Sequence, residues 1–131
     1  MTDLAPTSHV SNDLHRGELY FSIAGLWELE DMKDFVIELN KNAWPLVKAG
    51  HKIHVIGAME GFVPQTRETG DVIRDHLIES RQHGLTRVAL YGASSLVKLQ
   101  YKRLSKGIDV EFFDSKFEAA RWLRRPYEDA A

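Results

Sequence analysis

Cysteine is absent from the 131-residue chain, so no disulfide framework, thiolate nucleophile, CxxC redox pair or cysteine-containing zinc site is open to it. Charge of one sign is lacking as well: 17 Lys and Arg stand against 19 Asp and Glu, a net charge of −2. Affinity for a polyanion draws on clustered cations, and this balance argues against general nucleic-acid binding. No uninterrupted apolar run approaches the ~20 residues that span a bilayer. The first fourteen residues also lack the basic and apolar regions of a secretory signal. The expectation is a cytoplasmic protein whose residues 1–14 form a flexible N-terminus, with room for a short strand before Glu18. GxSxG, HExxH, Walker and GxGxxG signatures are all missing.

What remains is an ordinary globular composition, 44% hydrophobic and 27% charged, in a chain long enough to bury roughly two-thirds of its unfolded surface in one core. A single domain over 1–131 is expected. Leu19, Phe21 and Ile23 alternate with Tyr20 and Ser22, the period of a half-buried strand that Gly25 ends. Leu29, Met32, Phe35, Val36, Leu39 and Ala43 then recur at helical spacing, with Glu28, Glu30 and Asp31 at the positive end of the helix dipole. Because a residue before proline is pushed out of the α region, the Trp44-Pro45 pair predicts that this helix stops or restarts there.

The apolar run Lys52–Gly57 reads as a buried strand, and the loop MEGFVP follows. From about Gln65 to His83, Thr69, Val72, Ile73, His76, Leu77 and Ser80 share one helical face. Arg87–Tyr91 is a third buried strand, after which Ser94 or Ser95 caps a helix carrying Val97, Tyr101 and Leu104. Asp109–Phe113 alternates as a strand near a sheet edge does. Ser115 and Glu118 form a capping box that starts a helix through Phe117, Ala120 and Leu123. The alternation of strands and helices predicts an α/β fold with a mostly parallel sheet and covering helices. Helices on both faces or on one face are equally compatible with it.

The chemistry available is sparse. His51 and His54 lie three apart in a strand and point to opposite faces, which disfavours a shared metal. His76, on the inner side of its helix, reads as a hydrogen-bonded core histidine. The YGASS turn suits an anion physically, but capping explains its serines. The acidic residues fall in helical rows and first turns, where solvation and dipole complementarity account for them. No catalytic constellation, metal or cofactor is expected. One local basic face stands out: Lys98, Lys102, Arg103 and Lys106 occur with no acidic residue between Ala93 and Gly107.

Gly25 before an acidic helix, the Trp44 segment, the GFVP loop, HGLTRVALYG and the C-terminal DVEFFDSKFEAARWL, taken in order, resemble the SpoIIAA-like family. The resemblance runs from about Glu18 to Leu123. It implies the fold of STAS domains, found in anti-sigma-factor antagonists and in the cytoplasmic parts of some anion transporters, and a non-enzymatic regulatory module acting through a protein partner. In such antagonists a serine of an Asp-Ser-Ser-Gly turn is phosphorylated. The matching stretch is Arg67-Glu68-Thr69-Gly70, which keeps only the hydroxyl residue and the glycine and makes Thr69 the candidate phosphorylation position.

The family is also similar to lipid carriers of the CRAL-TRIO kind, which implies the alternative of an apolar ligand or an anionic membrane surface. Phe62 and Val63 would then form an apolar tip beside the basic row Lys98, Lys102, Arg103 and Lys106. Trp27, Trp44 and Trp122, with the edge-strand pattern near residue 110, suggest a homodimer.

Overall fold

The computed structural model describes residues 4–126. Five strands and four helices follow in the order β1 (Thr7–Asp13), β2 (Glu18–Ala24), α1 (Leu29–Lys48), β3 (Ile53–Ala58), α2 (Arg67–Gln82), β4 (Leu85–Tyr91), α3 (Ser95–Leu104), β5 (Val110–Phe113) and α4 (Lys116–Leu123). The strands form one sheet in the spatial order β1-β2-β3-β4-β5. The β1–β2 pair is antiparallel and the other three are parallel.

The expectation of a flexible segment over 1–14 is corrected for residues 7–13, and residues 1–3 lie outside the described part. Those seven residues pair with all of β2, from Thr7 opposite Ala24 to Asp13 opposite Glu18. The strand is mostly exposed and polar, so it has little apolar periodicity. Its order comes from the backbone ladder that the edge of β2 offers.

Two clusters of buried side chains show how the sheet is covered. On one face Leu19, Ile23, Val55, Val88 and Leu90 pack with Met32, Phe35 and Leu39 of α1, Ile73 and Leu77 of α2, and Val97 of α3. On the other, Ile56 and Ala89 pack against Ala119 and Leu123 of α4, with Tyr20 and Trp122 at the margin. The helices are thus divided between the two faces. The central strands β3 and β4 are buried on both sides, which accounts for their unbroken apolar runs.

Helix α1 does not stop at Trp44-Pro45 as expected. It continues to Lys48 with Pro45 inside it. A proline there removes one helical hydrogen bond and crowds the preceding turn, at a cost of about 3 kcal/mol. Leu46, fully buried one residue later, holds the last turn on the core. The N-terminus of α1 follows the expected acidic pattern, the Asp31 carboxylate accepting from the Glu28 backbone N–H at 2.9 Å. Ser94 and Ser115 cap α3 and α4 as read, accepting from the N–H groups of Val97 and Glu118 at 3.3 Å each. In α4 the buried positions are Ala119 and Leu123, while Phe117 points to solvent.

Candidate functional site

The sheet face covered by α1, α2 and α3 is incompletely filled. Helices α1 and α2 pack side by side, and between them a cleft of about 260 Å³ opens onto the sheet. Interiors at normal packing density have few voids larger than a water molecule, so a space of this size is a feature of the fold. Its floor is apolar, built by the inward residues of three parallel strands: Leu19, Phe21 and Ile23 from β2, Ile53 and Val55 from β3, and Leu85 and Val88 from β4. Met32, Phe35, Leu39 and Ala43 of α1 form one wall, and Ile73 and Leu77 of α2 the other. The rim carries Asn40, Trp44, Glu79 and His83, all exposed.

Three polar side chains behind the rim reach this apolar space: His76, Ser80 and Tyr101. His76 is half-buried on α2, with Nε2 3.4 Å from the Ser80 hydroxyl one turn later. Burial lowers its pKa against a small opposing effect of Glu79, so the ring is neutral at pH 7. Tyr101 comes from α3 and is 7% exposed. Burial raises the pKa of its phenol, so it stays protonated.

His76 and Trp44 line this cleft, but the candidate contact residues Phe62, Val63, Thr69, Lys98, Lys102, Arg103 and Lys106 do not. Phe62, expected at an exposed tip, is 3% exposed. Its ring stands edge-on to Trp27 at 6.0 Å, and its backbone bridges to Gly25. The loop is drawn inward by Gln65, whose side chain accepts from the Trp27 N–H at 2.9 Å and donates to the carbonyls of Gly25 and Val63. Val63 is half-buried. The apolar-tip expectation is therefore corrected: tertiary hydrogen bonds fold the loop back on the core.

Thr69 is 1% exposed in the first turn of α2. Its N–H and hydroxyl meet the hydroxyl of the capping Thr66, at 3.4 and 3.1 Å. A phosphate there would place about −1.5 to −2 charges in a buried helix start, so the geometry opposes Thr69 as a phosphorylation position. Lys98 is half-buried, whereas Lys102, Arg103 and Lys106 are exposed. The exposed apolar neighbours of this basic row are Leu96 and Leu99 on the same helix.

Of the three tryptophans, Trp27 lies in the core. Trp122 packs on Phe113 at 5.6 Å and under Arg125 at 5.0 Å, which leaves Trp44 as the exposed one. Among the described residues no group of three or more His, Asp or Glu side chains is placed to hold a metal ion, and no helix is long and apolar enough to cross a membrane.

The other sheet face holds an ion pair. Glu18, 2% exposed, takes both arms of the Arg124 guanidinium at 2.9 Å and accepts from the Tyr20 hydroxyl at 2.6 Å. Burial pushes the Glu18 pKa up, but the hydrogen bonds from Arg124 and Tyr20 and the Arg124 charge together bring it below the ordinary carboxylate value. Burial and the same carboxylate push the Tyr20 phenol up to about 12. The cluster ties the end of α4 to β2.

No protein-family model and no curated protein matches this chain. A solved structure does: an uncharacterized protein of the DUF3478 family from Shewanella loihica PV-4, described as having a SpoIIAA-like fold. It superposes with a TM-score of 0.62 at 20% sequence identity, over 94% of this chain and 98% of that one. Five strands, four helices and this superposition together give the chain the SpoIIAA-like fold.

Proposed function

We propose that this protein is a non-enzymatic binding module whose cleft between α1 and α2 takes a small apolar ligand. The observation that carries the reading is the cleft of about 260 Å³ floored by aliphatic and aromatic side chains. Pockets of roughly this size and lining are the common form of small-molecule sites. Burial of Thr69 leaves a phosphate-controlled partner contact without a reachable hydroxyl, so ligand binding is favoured over an antagonist-type switch. Tetralin, an uncharged hydrocarbon, is a suitable probe. Binding at roughly 0.6 kcal/mol per heavy atom gives a Kd on the order of tens of micromolar. Methyl resonances of Leu39, Val55 and Ile73 should shift on titration, and Ala43→Phe, which fills the cleft from α1, should weaken binding at least about tenfold. Unchanged resonances at the solubility limit of tetralin would remove this reading.

A second reading rests on α3, where exposed Leu96 and Leu99 share the helix with exposed Lys102 and Arg103. Apolar and cationic side chains on one short helix suit a peripheral contact with an anionic bilayer. Wild-type protein should co-sediment with phosphatidylserine-containing vesicles at low salt. Lys102→Glu with Arg103→Glu should abolish this, at about 1 kcal/mol for each cation removed, and Leu96→Asp with Leu99→Asp should weaken it even without added salt. Absence of wild-type co-sedimentation would exclude the contact.

A further inference from the structure

Among the enclosed residues of the cleft, Tyr101 carries a polar group that makes no hydrogen bond to the described residues. Tyr101 is 93% buried by its 7% exposure. Its carbonyl accepts from the N–H and hydroxyl of Ser105 at 2.8 and 2.7 Å, but among the described residues no side chain or backbone group engages its phenolic oxygen. Yet that oxygen is not a polar atom sealed in protein without a partner, since the described residues contain none of those. Tyr101 lines the cleft, and its hydroxyl is therefore a donor within reach of an occupant. An occupant that displaces water from this hydroxyl must offer an acceptor in its place or leave the phenol unsatisfied, at about 1–3 kcal/mol.

The lining also defines the charge of the occupant. No Lys or Arg borders the cleft, and its one carboxylate is that of Glu79 at the rim. A carboxylate or phosphate inside would be desolvated with no cation to meet it. His76 is neutral and shares one hydrogen bond with Ser80 on α2, whereas the Tyr101 O–H on α3 makes no hydrogen bond to the described residues. For size, a dry apolar cavity of roughly 150 Å³ holds one benzene, so the present space corresponds to about ten heavy atoms.

Resting on the cleft reading above, we propose that the natural ligand is an uncharged, largely apolar molecule of this size carrying one carbonyl- or ether-type acceptor, which the Tyr101 hydroxyl recognises. The hydroxyl donates, the ligand oxygen accepts, and the remainder of the ligand lies on the aliphatic floor. The hydrogen bond sets orientation, while apolar contact supplies most of the affinity.

Tetralin and 1-tetralone differ by one carbonyl and test this directly, titrated into the full chain as wild type and as Tyr101→Phe. The substitution removes a single oxygen. In wild type both probes should bind. In Tyr101→Phe the tetralone affinity should fall about 3- to 10-fold, while tetralin, which offers the hydroxyl no acceptor, should bind as well or better. The tetralin result doubles as the check that the variant keeps its cleft. A tetralin carboxylate at pH 7 should bind at least about tenfold more weakly than tetralone. If tetralin binds but tetralone is indifferent to Tyr101→Phe, or the carboxylate binds as tightly as the ketone, this inference fails and the cleft reading stands. If tetralin does not bind wild type, both fail.

Discussion

Gly25→Ala is expected to destabilise the fold by about 2–4 kcal/mol, from left-handed strain of about 1–2 kcal/mol and a steric clash of similar size. Gly25 has φ +93°, and a methyl group there would stand 2.4 Å from the Ala5 carbonyl oxygen and 2.8 Å from that of Leu4. These are backbone atoms held by the chain leading into β1, where the Leu4 carbonyl accepts from the Leu26 N–H at 3.0 Å. The glycine is also a junction: its N–H donates to the Gly61 carbonyl at 2.9 Å and its own carbonyl accepts from Gln65 at 3.2 Å. A shift that relieves the clash therefore loosens the loop that seats Phe62. Gly50→Ala is the control, because Gly50 has φ +73° with nothing within 4 Å of the added carbon, so it bears the strain without the clash. In urea titrations Gly50→Ala should lose about 1–2 kcal/mol and Gly25→Ala about twice that, with a fall in Tm on the order of 15 °C. Equal losses would show that the contact with Ala5 contributes nothing.

Arg124→Met should cost about 2–3 kcal/mol at pH 7. The range lies below that for a fully buried pair because the arginine is 42% exposed while Glu18 is almost wholly enclosed. The loss arises mainly from the carboxylate left behind. In wild type Glu18 has its pKa lowered, so its contribution to stability is complete above the unfolded carboxylate value of about 4.3 and is lost as pH falls through the lower folded value. Without Arg124 the sign reverses: burial dominates, the folded pKa rises, and the penalty is relieved by protonation as pH falls. The gap between wild type and variant should therefore narrow from pH 7 to pH 4. Adding Glu18→Gln to Arg124→Met should recover part of the loss at pH 7, since a neutral amide costs less to bury than a carboxylate. A gap independent of pH would mean that the arginine acts through packing alone.

A partial sign of the cleft was present in the chain. The inner face of α2 carries His76 and Ser80 four residues apart among Ile73 and Leu77, and α1 places the small Ala43 on its apolar stripe. Polar and small side chains on an inward face leave a core unfilled, and His76, Ser80 and Ala43 all line the opening. Tyr101 gave no such sign, because an aromatic at an inward helical position ordinarily packs as core. Only the path of the backbone leaves its hydroxyl without a partner among the described residues.

The order of strands and helices, the parallel β2 to β5 sheet and the caps at Ser94 and Ser115 were legible in the residues, because side-chain period and cap chemistry are local properties of the backbone. For residues 7–13 only room for a short strand was legible, since a polar strand is ordered by its neighbour's ladder and not by its own pattern. Nor was the continuation of α1 through Pro45, where burial of Leu46 outweighs a local preference. The inward turn of Phe62, the burial of Thr69 and the pairing of Glu18 with Arg124, 106 residues apart, depend on which distant groups meet. The cleft belongs with them: its volume is the difference between what α1, α2 and the sheet enclose and what their side chains fill, a quantity defined only once the three are packed together.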